Sequence, residues 1–207
     1  ELLSAMPGVG VGLVLDPGCD LPSSHAAAEL AERYPHVYAA VGVHPEDCDG
    51  FQDEDLTELW QLLERPKVVA IGEIGLDYYW EDNPPRAFQQ TVFRKQLALA
   101  AELDLPVIVH DREAHGDSLA IIQEFPTVTG VFHCFSGSPE MAAELLNTAP
   151  ADKHLLILLT DASPDDSHKI LPSGKVPLSR DYDGQAGVDD TAAEVRALRQ
   201  QGIRVAA

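Results

Sequence analysis

The chain has 207 residues, 45% of them hydrophobic, with 34 acidic against 14 basic side chains and a formal net charge of −20. That is enough apolar material for one sizeable core, and it excludes compositional disorder; there is no leader-like segment at Glu1 and no apolar run of about 18 residues to span a membrane. So acidic a surface repels polyanions at long range, so a phosphate-bearing partner would have to be met by metal ions or by a few focused arginines.

In chain order, residues 9–18 alternate glycine with Val11, Leu13, Val14 and Leu15 before Asp16-Pro17-Gly18, which predicts a buried strand and a turn. Residues 23–34 carry serine caps and an apolar stripe, a helix stopped by Pro35. Residues 37–43 read as the next buried strand and deliver His44-Pro45 at its end. A helix over 53–63 has Leu56, Leu59, Trp60 and Leu63 on one face, and the apolar run 68–76 is a third strand. A longer helix over 85–103, a short strand over 106–109 ending in His110-Asp111-Arg112, and a short helix over 118–124 follow. A strand over 129–132 then ends in His133-Cys134. Strand and helix alternate throughout, the pattern of a parallel sheet covered by helices.

Within VVAIGEIGLD, residues 68–77, the single carboxylate Glu73 interrupts an apolar run. Burying it costs several kcal/mol unless a cation or strong donors meet it, roughly as for any desolvated charge. A lone acid there also suits an ion pair with an arginine or a capped turn. Two further strands end in histidine, however: His110 and His133 stand 37 and 23 residues after the preceding candidate, about one βα unit each. Side chains at the C-terminal ends of neighbouring parallel strands share one rim. One carboxylate with two imidazoles suits zinc, manganese or magnesium with waters better than a closed structural zinc site. Cys19, Cys48 and Cys134 form no CxxC pair, which points to reduced thiols and a cytoplasmic location.

The words VGVHP at 41–45, IGEIGLDYY at 71–79, FRKQLALAAELDLPVIVHDREA at 93–114 and HCFSGSPEMA at 133–142 resemble the TatD family of metal-dependent deoxyribonucleases. The resemblance covers most of residues 9–145. It implies a (β/α) barrel of the TIM type, a centre for two divalent ions and a DNA substrate. Glu73 falls on the family's bridging carboxylate and catalytic position, and His110 and His133 on its later metal ligands. His44 matches a polar residue near the centre, Arg112 a contact to substrate phosphate, and Asp77 and Tyr78 the loop beside the active site. The family's opening HxH pair has no counterpart in the chain, so the barrel is expected to be incomplete and its activity impaired. An amide or lactone hydrolase of the same barrel superfamily is the neighbouring reading.

Residues 148–207 differ in character. They hold nine of the acids and seven of the bases, a net −2, which leaves a net −18 in residues 1–147. The segment LLILLTDASPDD at 155–166, the glycine-containing loop after it, and TAAEVRALRQQGIRV at 191–205 resemble the later part of a von Willebrand factor A domain. That resemblance implies a doubly wound α/β segment, and with it an alternative function: non-catalytic, metal-dependent protein binding through Asp161. Two partial domains in one chain, with Glu1 at one end and a strand beginning at 202–205 at the other, lead us to expect a truncated or chimeric sequence divided near residues 147/148. No feature of the sequence bears on the oligomeric state.

Overall fold

Short β-branched and alanine-rich runs separated by amphipathic helices build an α/β sheet in the computed structural model. It describes residues 2–137, 141 and 144–145, and the strands Leu155–Ile157, Asp165–Asp166, Tyr182–Asp183 and Arg204–Ala206. A short helix α1 (Leu2–Ala5) and a 3-10 turn (Met6–Val9) precede the first strand. The elements then run β1 (Val14–Pro17), α2 (Leu21–Arg33), β2 (Val37–Val41), α3 (Asp53–Leu63), β3 (Val68–Asp77), α4 (Arg86–Leu103), β4 (Val107–Arg112), α5 (His115–Gln123) and β5 (Gly130–Phe132).

The four pairings among β1–β5 are parallel, and their spatial order β1-β2-β3-β4-β5 is the chain order. A doubly wound sheet reverses its order at a switch point; this sheet adds every new strand on the same side, as a (β/α) barrel does. The fold is therefore an incomplete arc of a TIM-type barrel.

The helices cover one face. Ala27, Ala28 and Ala31 of α2 are buried, and their small size lets that helix lie close on β2. Leu59 and Leu62 of α3 and Val92, Phe93, Leu97 and Ala100 of α4 fill the same core against Val37, Val41, Ile71, Ile74, Leu76, Val107 and Val109. Ala40, Ala70 and Ile108 form a separate small cluster. Alternation along β4 places Ile108 and His110 on the face opposite Val107 and Val109.

Alternation breaks once, in β3. Ile71 and Ile74 both belong to the helix-side core although three residues apart, and the pairing with β4 shifts register between them. Such an irregularity re-aims the intervening side chain, and that side chain is Glu73. The Gly72–Glu73 peptide bond is cis. Gly75, at φ 142°, lies so close to β4 that a Cβ would stand 2.0 Å from the His110 carbonyl oxygen, so only glycine fits there.

Several elements depart from expectation at their ends. Residues 9–13 are not strand: Gly10 at φ 90° closes the preceding turn, and Val9, Val11 and Leu13 are exposed although apolar. Helix α2 starts earlier than the serines suggest, because Asp20 caps it: its carboxylate accepts from the Ser23 backbone N–H at 2.8 Å while the Ser23 hydroxyl accepts from the Asp20 N–H at 3.0 Å. Strand β4 runs on through His110 to Arg112, which makes His110 part of the sheet rather than of the following loop.

Residues 151–207 form a separate compact unit, distinct from residues 1–150. In it β6 (Leu155–Ile157) pairs in parallel with β9 (Arg204–Ala206), and β7 (Asp165–Asp166) pairs antiparallel with β8 (Tyr182–Asp183). Within the word at 155–161 the described strand is Leu155–Ile157, and the strand expected to begin at 202–205 is Arg204–Ala206. Asp161 and the helix expected after Asp190 lie outside the described residues.

Candidate metal centre

The C-terminal ends of β2, β3 and β4 bring three donors together. One ligand atom each from His44, Glu73 and His110 lies within 4.8 Å of the others. His44 follows the end of β2, Glu73 sits at the irregular point of β3, and His110 projects from β4. The His44 and His110 rings meet edge to face with centroids 4.3 Å apart.

Backbone hydrogen bonds from the end of β1 hold two of these residues. The Gly18 carbonyl accepts from the Glu73 N–H at 2.8 Å, and the Cys19 carbonyl accepts from the His44 N–H at 2.7 Å. Two buried glutamines of α4 fix the strand ends from the helix side. Gln96 accepts from the Val43 N–H at 2.8 Å and donates to the Val43 carbonyl at 3.0 Å, pinning the residue before His44. Gln89 accepts from the Asp77 N–H and donates to the Asp77 carbonyl, both at 2.9 Å. Each glutamine satisfies backbone groups that strand pairing leaves over.

Asp77 completes the arrangement. Its side chain is fully buried, and its Oδ2 lies 2.9 Å from His110 Nε2, while His110 Nδ1 lies 3.2 Å from Glu73 Oε1. One imidazole thus stands between two carboxylates. Burial would lower the His110 pKa, but the hydrogen bonds and negative charges of Glu73 and Asp77 outweigh it and raise it. Burial would likewise raise both carboxyls, yet hydrogen bonds to His110, with the neighbouring imidazoles at Glu73 and the Tyr79 N–H at Asp77, hold both below the ordinary range. His44 goes the other way: burial and the repulsion of His110 push it down to about 4. It is therefore neutral near pH 7, and its Nδ1 accepts from the Glu46 backbone N–H at 3.3 Å.

This donor set fits a divalent cation. Two ligands bonded to one ion at about 2.1 Å stand about 3.0–3.4 Å apart in octahedral or tetrahedral arrangements, and the Glu73–His110 separation of 3.2 Å falls in that interval. A metal-ligating histidine commonly gives its other ring nitrogen to a carboxylate, and Asp77 is placed to receive it. Mixed nitrogen and oxygen donors suit zinc or manganese, and magnesium with more water.

Of the residues singled out in the sequence, Glu73 and His110 meet directly and His44 joins them. His133 follows β5 and is exposed; its backbone N–H donates to the Val109 carbonyl at 2.8 Å, and its ring lies 3.1 Å from Cys134 Sγ. It stands outside the 4.8 Å group. Arg112 is exposed, with its guanidinium carbon 3.9 Å from the Tyr79 ring centroid. Sequence reasoning did not single out Gln89 or Gln96. The available signal was a pair of amides seven residues apart, two helical turns, on a helix whose other buried positions are apolar.

Comparison with known proteins agrees with this geometry. Residues 2–154 match the family described as TatD related DNase. The chain is 46% identical over 131 residues to the uncharacterized metal-dependent hydrolase YabD of Bacillus subtilis, covering 62% of this chain and 51% of YabD. It is 38% identical over 148 residues to the 3'-5' ssDNA/RNA exonuclease TatD of Cronobacter turicensis, covering 70% and 56%. The solved structure of YJJV, a TatD homologue from Escherichia coli K12, superposes with a TM-score of 0.65 at 38% identity, covering 70% of this chain and 57% of that one. The chain spans a little over half the length of these relatives.

Proposed function

Because this chain belongs to the TatD-related DNase family, we propose that it forms part of a metal-dependent hydrolase that cleaves phosphodiester bonds in DNA. The observation that carries the proposal is the convergence of His44, Glu73 and His110 at the C-terminal ends of parallel strands, with Asp77 behind His110. In barrels of this kind that rim is where catalytic side chains gather.

Glu73, His110 and His44 would hold a divalent cation, which would supply Lewis acidity toward a phosphoryl oxygen and toward water. The protein's own groups do the rest. Asp77 fixes the orientation of His110 by accepting a hydrogen bond from its Nε2–H. Glu73, ionised at neutral pH, brings the negative charge that holds cations on an inner face lined otherwise by Ala40, Ala70 and Ile108. We assign His133 as a further ligand, reaching the centre from β5, and Arg112 as the contact to a neighbouring phosphate, where its planar fork matches phosphate geometry. On this reading Glu73 would be a metal ligand of the complete site as well. Residues 1–147 are the hydrolase part and residues 148–207 a separate α/β segment.

Among the described residues no helix is long and apolar enough to cross a membrane. Three unpaired thiols, Cys19, Cys48 and Cys134, suit a reducing compartment, and the cytoplasm is the location we propose.

The test is cleavage of an end-labelled single-stranded DNA in magnesium or manganese. We expect weak cleavage by this chain and stronger cleavage by a full-length relative, stopped by chelation and abolished by the substitution equivalent to Glu73→Ala. Cleavage by the Glu73→Ala protein at the parent rate refutes the assignment.

A further inference from the structure

We propose that Tyr79 and Trp80 form a base-stacking platform beside the metal centre that takes an unpaired nucleobase of a single-stranded nucleic acid; the proposal rests on the phosphodiesterase reading above. Tyr79 is 46% and Trp80 52% exposed, and their rings meet edge to face with centroids 4.7 Å apart. Leaving this much aromatic surface in water forgoes burial that each ring would otherwise gain.

The pair is nevertheless held in place. The Tyr79 N–H donates to Asp77 Oδ1 at 2.9 Å, and the Asn83 side-chain amide donates to the same oxygen at 3.0 Å and to the Asp77 carbonyl at 3.2 Å. The Asn83 N–H donates to the Trp80 carbonyl at 3.3 Å, closing residues 80–83 into a turn. The other oxygen of Asp77 holds His110. One buried carboxylate therefore fixes both the candidate metal ligand and the loop that carries the aromatic pair. A pre-organised side chain loses little entropy on binding, which is what a recognition surface requires.

The neighbouring Tyr78 shows the contrast. It is half-buried, and its hydroxyl donates to Asp117 at 2.8 Å and accepts from Gln90 at 2.9 Å. Among the described residues neither the Tyr79 hydroxyl nor the Trp80 indole N–H makes a hydrogen bond. Arg112 supplies the complementary charge, its guanidinium lying 3.9 Å from the Tyr79 centroid and 5.5 Å from that of Trp80. An aromatic face with an arginine beside it suits a base attached to its phosphate. Stacking is also indifferent to the surrounding acidity, represented here by the adjoining Glu81 and Asp82. A paired base inside a duplex hides its face between neighbours, so the platform discriminates in favour of single strands.

The test is fluorescence titration of the full chain carrying Trp60→Phe, which leaves Trp80 as its one indole, with a phosphorothioate-linked hexathymidylate in magnesium. We expect saturable quenching, none from an abasic hexamer, and a Kd raised about tenfold in Tyr79→Ala, in line with stacking losses on alanine substitution. Binding followed by anisotropy of a labelled hexamer should weaken similarly in Trp80→Ala and recover in Trp80→Phe, which keeps an aromatic face. Absence of quenching, equal quenching by the abasic hexamer, or unchanged affinity in Trp80→Ala overturns the platform. The two readings separate cleanly: base-dependent binding without cleavage of an unmodified strand sinks the phosphodiesterase and keeps the platform. Cleavage with unchanged affinity in Trp80→Ala does the reverse.

Discussion

Replacing Gln96 by leucine isolates what the helix contributes to the centre. Gln96 is 1% exposed and makes a two-way contact with the Val43 backbone, one bond at 2.8 Å and one at 3.0 Å. Leucine has a similar volume and no polar atoms, so it strands one N–H and one C=O in the protein interior. Each stranded group costs about 1–3 kcal/mol, while the added apolar burial returns about 1–2 kcal/mol. At the middle of these ranges a net loss of about 2–3 kcal/mol follows, which for a chain of this length lowers Tm by roughly 4–12 °C. Urea unfolding followed by circular dichroism measures it, with the midpoint falling and the slope unchanged. Because Val43 precedes His44, metal affinity should fall as well. A stability change under about 0.5 kcal/mol, the range of ordinary surface substitutions, refutes the claim that Gln96 pins this strand end.

Other consequences are equally direct. Gly75→Ala places a Cβ 2.0 Å from the His110 carbonyl oxygen at a φ of 142°, so it must force β3 and β4 apart; we expect a loss above about 3 kcal/mol, in the range reserved for severe backbone and packing faults, or failure to accumulate folded protein. Asp20→Ala removes the cap of α2 and should cost about 1 kcal/mol at pH 7. Its pH dependence has a definite sign. Hydrogen bonds from the Ser23 side chain and backbone hold the Asp20 carboxyl below its ordinary value of 3.8, so the cap stabilises the fold above that pH. The stability difference between the parent and Asp20→Ala should therefore be flat near neutrality and shrink as pH falls below about 3.8; a difference that grows on acidification contradicts it.

The barrel arc was readable from alternating apolar runs because every buried parallel strand needs such a run and every covering helix an apolar stripe. Glu73 and His110 were readable for a related reason: a charged or titratable residue closing an apolar strand needs a partner, and parallel strands end on one rim. Residues 9–13 misled because their hydrophobicity is real while, among the described residues, no strand lies outside β1 to pair with. Asp77 was visible as a loop acid, but its contact with His110 depends on the register shift in β3, which no local pattern announces. The glutamines were hidden more thoroughly. As amides Gln89 and Gln96 read like solvated residues although the helical wheel sets them on the face of Phe93 and Ala100, and only the leftover backbone groups of Val43 and Asp77 explain their burial. His44 was legible as a strand-end histidine, whereas its nearness to His110 rests on how far the loop after β2 reaches, held there by Cys19 and Gln96.

Isothermal titration of the purified chain with manganese, before and after single substitutions, tests the centre most directly. The account predicts that Glu73→Ala and His110→Ala each weaken binding strongly, and that Asp77→Ala weakens it about 10- to 100-fold as the loss of an orienting carboxylate does. Unchanged manganese affinity in Glu73→Ala would contradict it.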